Sequence, residues 1–235
     1  MIDERIFKIE LRQGKERSIK SYVLRSNVLD DKGERIIEDS KDSLIFYEEG
    51  SRLNSESLFG SSKPFIIEIG FGMGTATIEI AKSRSDCNFL GLEVYLDGVV
   101  KLLKRIREEG VKNLKVMRFN AVDVLSHLID DDSVDGFHIF FPDPWMKKKH
   151  HKRRMMNPAF INLLVSKLRE GGYIYFVTDW VEYADEVLSL FNGNEKLLNP
   201  YDGFAPHMQW RPETKFEAKG KEKEHEVREL WVEKK

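Results

Sequence analysis

Thiol chemistry is nearly missing from this chain. One cysteine, Cys87, excludes an intramolecular disulfide, and neither it nor the six histidines fall into a cluster at metal-ligand spacing. No structural metal is expected, and a reducing, cytoplasmic setting is. Long apolar runs are missing too. No stretch approaches the roughly 20 residues a membrane helix needs. Asp3, Glu4, Arg5 and Lys8 stand where a leader peptide would carry its apolar core, so neither export nor a membrane span is expected. The chain also lacks an excess of charge of one sign. The 38 Lys and Arg against 40 Asp and Glu leave a formal charge of -2 over 235 residues. The total therefore advertises no polyanionic partner, and any nucleic-acid surface must come from local clustering.

What the chain does have, from Pro64 onward, is alternation. Short apolar runs at Phe65–Ile69, Phe89–Val94, Leu114–Phe119, Val134–Phe141 and Tyr173–Val177 read as strands. Between them Thr75–Lys82, the segment of Leu102, Leu103 and Ile106 ending at Gly110, the segment opened by Asn157-Pro158, and Val181–Phe191 read as helices. Gly171-Gly172 is expected to end the third of these, and Val227–Val232 alternates like a final strand. Strands separated by helices at this spacing predict an α/β fold with a doubly wound, mostly parallel sheet and helices on both faces. Residues 61–235 form this domain. Residues 1–60 are charged and weakly periodic, with a turn expected at Asp30-Asp31-Lys32-Gly33. They are expected to form a basic, partly mobile extension whose Arg12, Lys15, Arg17, Lys20 and Arg25 could touch phosphates.

Two stretches carry chemistry. The first strand runs through Glu68 into Gly70-Phe71-Gly72-Met73-Gly74. Alternate glycines let the chain turn sharply and let a ligand approach the backbone. The spacing is not that of a dinucleotide fingerprint, whose third glycine falls one residue later. A tight glycine loop preceded by an acid suits a ligand with an amino acid end and a nucleoside end, such as S-adenosylmethionine. Glu93 closes the second strand where an acid can accept ribose hydroxyls, and Asn120 follows the third with an amide that complements an adenine edge. Read singly, each is more often a packing turn, a surface acid or a turn residue. Their position at consecutive strand ends is what builds one crevice.

The second stretch is Phe140-Phe141-Pro142-Asp143-Pro144-Trp145, followed by Lys147, Lys148, Lys149, His150, His151, Lys152, Arg153 and Arg154. Two prolines stop the fourth strand and hold Asp143 at its carboxyl end. Trp145 offers a flat surface on which a base can stack, and the cationic run beyond it reads as a phosphate-binding arm or, more blandly, as a solvated basic helix start. Asp179 leaves the next strand on the same rim, where a helix cap for the segment from Val181 is nearly as good a reading.

These residues, with Thr178-Asp179-Trp180 and the late Thr214-Lys215-Phe216-Glu217, resemble the tRNA (guanine-N7-)-methyltransferases from about residue 17 to the end. The resemblance implies a sheet of seven strands, and methyl transfer from S-adenosyl-L-methionine to N7 of a guanine at position 46, in the tRNA variable loop. It implies cofactor contacts at Glu68, Gly70, Gly72, Gly74, Glu93, Asn120 and Asp143, with Asp143 also the catalytic position. It further implies substrate contacts at Lys147, Asp179 and Thr214–Glu217, and RNA contacts along Lys149, His150, His151, Lys152, Arg153 and Arg154. Bacterial members often carry Asp where this chain has Asn120. The partner that the resemblance implies is tRNA, and either a monomer or a homodimer is expected. An adenine amino-methyltransferase and a non-catalytic RNA-binding protein on the same scaffold are the rival readings. The first usually carries adjacent prolines after its acid, whereas here Asp143 has one on each side; a polyamine synthase is disfavoured by the basic arm.

Overall fold

The fold is described from a computed structural model covering residues 3–11, 20–22, 28–213, 217 and 226–235. Eight strands form one sheet, in the order β1-β4-β3-β2-β5-β6-β8-β7. They are β1 (Leu44–Ile45), β2 (Phe65–Ile69), β3 (Asn88–Glu93), β4 (Leu114–Arg118), β5 (Val134–Phe140), β6 (Leu168–Thr178), β7 (Leu197–Leu198) and β8 (Arg228–Lys234). Pairing is parallel from β1 to β6, and antiparallel where β8 lies between β6 and β7. The doubly wound, mostly parallel sheet is as expected, with one strand more than the seven foreseen. Its two edge strands, β1 and β7, are too short for any alternation to show in sequence.

Among the described residues, α1 (Asp31–Glu38) precedes the first strand and six α-helices lie between successive strands: α2 (Ser55–Phe59), α3 (Thr75–Ser83), α4 (Leu96–Glu109), α5 (Ala121–Leu128), α6 (Pro158–Lys167) and α7 (Val181–Asn192). One face of the sheet packs on α3 and α4 through Ile78, Val99, Leu102, Leu103 and Ile106. The other packs on α5, α6 and α7 through Val124, Leu125, Phe160, Leu164, Tyr183 and Val187. Burial on both faces explains why β2, Phe-Ile-Ile-Glu-Ile, is apolar at all but one position. The exception, Glu68, is thereby singled out.

Three expectations need correction. Asp30-Asp31-Lys32-Gly33 opens a helix: Asp30 caps α1 by accepting from the Gly33 N–H at 2.8 Å. The stretch before residue 60 is also no separate body where it is described. β1 pairs with β4, and Ile6, Ile37 and Leu44 are buried in the same core. Arg12, Lys15, Arg17 and Arg25 lie outside the described residues. Finally, α6 ends at Lys167, before Gly171-Gly172, because β6 begins at Leu168 to pair with Val134. Among the described residues no helix is long and apolar enough to cross a membrane.

Candidate active site

The strand order reverses between β2 and β5, where chain paths leave in opposite directions and open a crevice at the strands' carboxyl ends. A cleft occupies that place. Ile69 and Gly70 after β2, Glu93 and Val94 after β3, Phe119 and Asn120 after β4, and Phe141, Pro142 and Asp143 after β5 line it.

Gly70, Gly72 and Gly74 have φ of 76°, 56° and 67°. The loop therefore needs glycine for its conformation as well as for access. The Gly72 N–H donates to Glu93 Oε2 at 2.8 Å, while Glu93 Oε1 accepts from Val94 and Tyr95 N–H at 2.6 and 3.0 Å. Glu93 thus ties the loop to the α4 entrance, with part of its acceptor capacity left for a ligand hydroxyl. Burial nevertheless pushes its carboxyl up, against those three backbone donors. Gly98, absent from the expected site, completes this corner. A Cβ on Gly98, in the first turn of α4, would stand 2.0 Å from the Gly72 carbonyl oxygen. Only a glycine lets α4 approach the loop so closely, a need legible in sequence only as a glycine inside a helical pattern.

Glu68 is buried at 3 % exposure on the central strand. One of its oxygens accepts from the Thr77 hydroxyl at 3.0 Å, and the other, Oε2, is buried and has no partner among the described residues. Burial pushes the carboxyl up to about 8; the Thr77 hydroxyl pulls the other way and the Glu93 charge adds to the rise. An unsatisfied acid beneath a glycine loop is what a cationic group arriving in the cleft would relieve.

Asn120 lines the cleft but its amide is already engaged. Its Oδ1 caps α5 through the Val122 N–H at 2.8 Å, and its side chain bonds the Tyr22 hydroxyl. The turn role that its residue type suggests on its own is thus present.

Asp143 is exposed, and among the described residues its carboxylate takes no hydrogen bond or ion pair. Its loop bends through left-handed backbone at Phe141 (φ 50°) and Trp145 (φ 45°). Bulky residues adopt this conformation only when their surroundings force it, and such strain gathers at functional sites. The Phe141 N–H to Val177 carbonyl bond at 2.8 Å pins the first bend. Because Phe140 pairs with Val177, Asp143 and Asp179 leave the sheet at adjacent strand ends. Asp179 does not cap α7, whose N-cap is Trp180 without a side-chain bond.

The basic run divides. Lys147, Lys148, Lys149 and Lys152 are exposed around a 3-10 turn, Lys148–Arg153. Arg154, expected among the RNA contacts, is not exposed with them: it is 2 % exposed, pairs with Glu182 and Glu186 of α7, and donates to the Pro144 carbonyl at 2.9 Å. His151 accepts from Arg154 and lies beside Glu182. Arg153 lies over the Trp145 ring, 3.7 Å from its centroid, and His150 meets that ring edge-on. The expected stacking surface of Trp145 is therefore occupied on one face by the protein itself.

Thr214, Lys215 and Phe216 lie outside the described residues. Glu217 is described, and it is not a free acceptor for a base edge. It is 4 % exposed, and its two oxygens accept from Arg211 at 2.5 and 2.8 Å. Arg211, itself 1 % exposed, also donates to Glu229 and to Tyr175, which anchors the segment on β6 and β8 beside Phe140. Acidic residues and an arginine spread over three separate segments gave no local sequence signal for this network.

A family model described as "Putative methyltransferase" matches residues 62–230. The tRNA (guanine-N(7)-)-methyltransferase of Neisseria meningitidis serogroup B is 46% identical over 217 residues, covering 92% of this chain and 91% of that protein. The protein of the same name from Francisella philomiragia is 40% identical over 219 residues, covering 93% and 96%. Among solved structures, the 16S rRNA methyltransferase KamB superposes with a TM-score of 0.55 over 77% of this chain and 92% of that one. At 13% identity, that likeness speaks for the fold alone.

Proposed function

The chain belongs to the tRNA (guanine-N7-)-methyltransferase family, and from that footing we propose that it methylates N7 of guanine 46, in the variable loop of tRNA, with S-adenosyl-L-methionine as donor. Residues lining the cleft and, behind its wall, Glu68 and the rest of the glycine loop fit that cofactor. The buried Glu68 Oε2, without a partner among the described residues, suits its amino acid end, the glycine loop leaves no side chain in the way, and Glu93 retains capacity for a ribose hydroxyl. When bound, the cofactor supplies a methyl group already activated by its sulfonium.

The observation that carries the reading is Asp143: a carboxylate fixed by a strained loop at the mouth of the cleft, exposed and, among the described residues, without a partner. Guanine N7 has a free lone pair at neutral pH, so no general base is required. The product ring is cationic, and a preorganised carboxylate favours it as charge develops. Asp143 thus orients the base and offsets charge, and it abstracts no proton. In this reading Lys147, four residues on and exposed, meets a phosphate of the same nucleotide, and Asp179, on the adjacent strand end, is a second polar contact. Lys149 and Lys152 extend the cationic surface along the RNA. Thr214, Lys215 and Phe216 are proposed as the substrate loop, and Glu217 as the residue that fastens it through Arg211. Replacing Asp143 by Asn should lower turnover by about a hundredfold, the cost of losing one preorganised electrostatic group. Unchanged single-turnover rates on unmodified tRNA would remove Asp143 from that role.

A further inference from the structure

The cleft is not completed by the sheet alone. Ser21 and Tyr22, far earlier in the chain, line it on the side of Asn120. Two anchors bring them there. At one end, the Asn120 N–H donates to the Ile9 carbonyl at 2.6 Å and the Leu11 N–H donates to Asp123 at 2.9 Å, which fixes residues 9–11 on the end of β4 and the start of α5. At the other, the basic turn holds residues 20–22 by their carbonyls. Arg153 Nε donates to Lys20 at 2.9 Å, its second arm donates to Tyr22 at 3.0 Å, and Trp145 Nε1 donates to Ser21 at 3.2 Å. Glu10 ties the two ends together, accepting from Lys20 and from the Tyr22 hydroxyl, each at 2.7 Å.

Both residues that donate at the second anchor come from the second stretch of the sequence, Trp145 read there as a stacking surface and Arg153 as part of an RNA arm. Arg153 nonetheless spends its fork on two carbonyls and its face on Trp145. We propose that Arg153 is a positioning residue for the cofactor: with Trp145 it holds Ser21 and Tyr22 as the wall that closes the nucleoside end of the cleft, so that the basic turn and cofactor binding are mechanically joined. A planar guanidinium suits this task, since it meets two carbonyls at fixed spacing while stacking on an indole, which a lysine cannot do. The inference rests on the cleft being the S-adenosylmethionine site.

The test is binding of S-adenosylhomocysteine by calorimetry in the absence of RNA, on wild type, Arg153→Lys, Tyr22→Ala and Lys148→Ala, each checked for folding by circular dichroism. Arg153→Lys keeps the charge that a phosphate contact needs but removes the fork. It should weaken cofactor binding by about tenfold, as expected when a charged donor leaves its carbonyl partner. Tyr22→Ala should weaken it comparably, and Lys148→Ala should leave it unchanged. Equal affinity for wild type, Arg153→Lys and Tyr22→Ala would overturn the proposal, as would an equal fall in Lys148→Ala, which would indicate a general charge effect. Failure of wild type to bind at all would instead overturn the assignment of the cleft, and this inference with it.

Discussion

Glu68 makes the free protein sensitive to alkali in a calculable way. Its carboxyl has an ordinary value of 4.5 in the unfolded chain and about 8 in the folded one, because the fold buries it with one oxygen unpaired among the described residues. Between those values the folded state holds a proton that the unfolded state has released. Stability contributed by the neutral acid is therefore present below 4.5 and is lost as pH rises towards about 8. At about 1.4 kcal/mol per pH unit, the whole interval corresponds to at most about 5 kcal/mol. Glu68→Gln removes the titration while keeping size and polarity. Urea midpoints of both proteins at about pH 5 and about pH 8.5 should show the variant gaining about 4 kcal/mol on wild type between the two conditions. Other titrating groups are common to both proteins and cancel in the difference. Saturating S-adenosylhomocysteine, whose ammonium would favour the ionised acid, should shrink the wild-type decline. Parallel pH dependence for the two proteins would show that Glu68 is ionised and solvated in the folded state, and the argument from its buried oxygen would fail.

Other perturbations probe the rest of the site. Arg211→Met should take from the buried Glu217 and Glu229 the guanidinium they share, while Glu229 keeps His207 and the Tyr175 hydroxyl. The cost should be about 3–5 kcal/mol, a fall in Tm of about 10 °C by calorimetric scan, and a drop of only a degree or two would mean that water reaches the network. Gly98→Ala should force α4 away from the Gly72 carbonyl and weaken cofactor binding by about tenfold, measured calorimetrically; wild-type affinity would show that the corner relaxes freely. Neutralising Lys149 and Lys152 together should flatten the log-log salt dependence of tRNA binding by about 0.7 to 0.9 for each phosphate that the pair had neutralised. The same measurement on Arg154→Met should show no change of slope, since that guanidinium is committed to Glu182 and Glu186.

The sheet was legible because its inner strands are buried on both faces and read as unbroken apolar runs, and because caps such as Asn157-Pro158 and Gly110 act through local chemistry. The same locality exposed the glycine loop and the turn around Asp143. What escaped was decided at a distance. Two-residue strands such as β1 exist only because a neighbour offers an edge. Asp30 reads equally as turn and as cap, and the apolar face of α1 decides between them by packing Ile37 into the core. Within the site, a run of like charge concealed unlike fates. Arg154 is buried against α7 and Arg153 is spent on Lys20 and Tyr22, partners more than a hundred residues away, while Lys149 and Lys152 remain in solvent. Glu217 was expected among the substrate contacts, but an arginine six residues earlier, itself held by Glu229 of β8, draws it into the interior.

The central claim is that Asp143, at the mouth of the cleft, serves methyl transfer to a guanine N7. The most direct measurement is transfer of a labelled methyl group from S-adenosylmethionine to unmodified tRNA, with the modified nucleoside identified and mapped, in wild type and in Asp143→Ala. The account predicts 7-methylguanosine at position 46 of the variable loop from wild type and almost none from the variant. A methyl group on another atom or another base, or full activity without the Asp143 carboxylate, would contradict it.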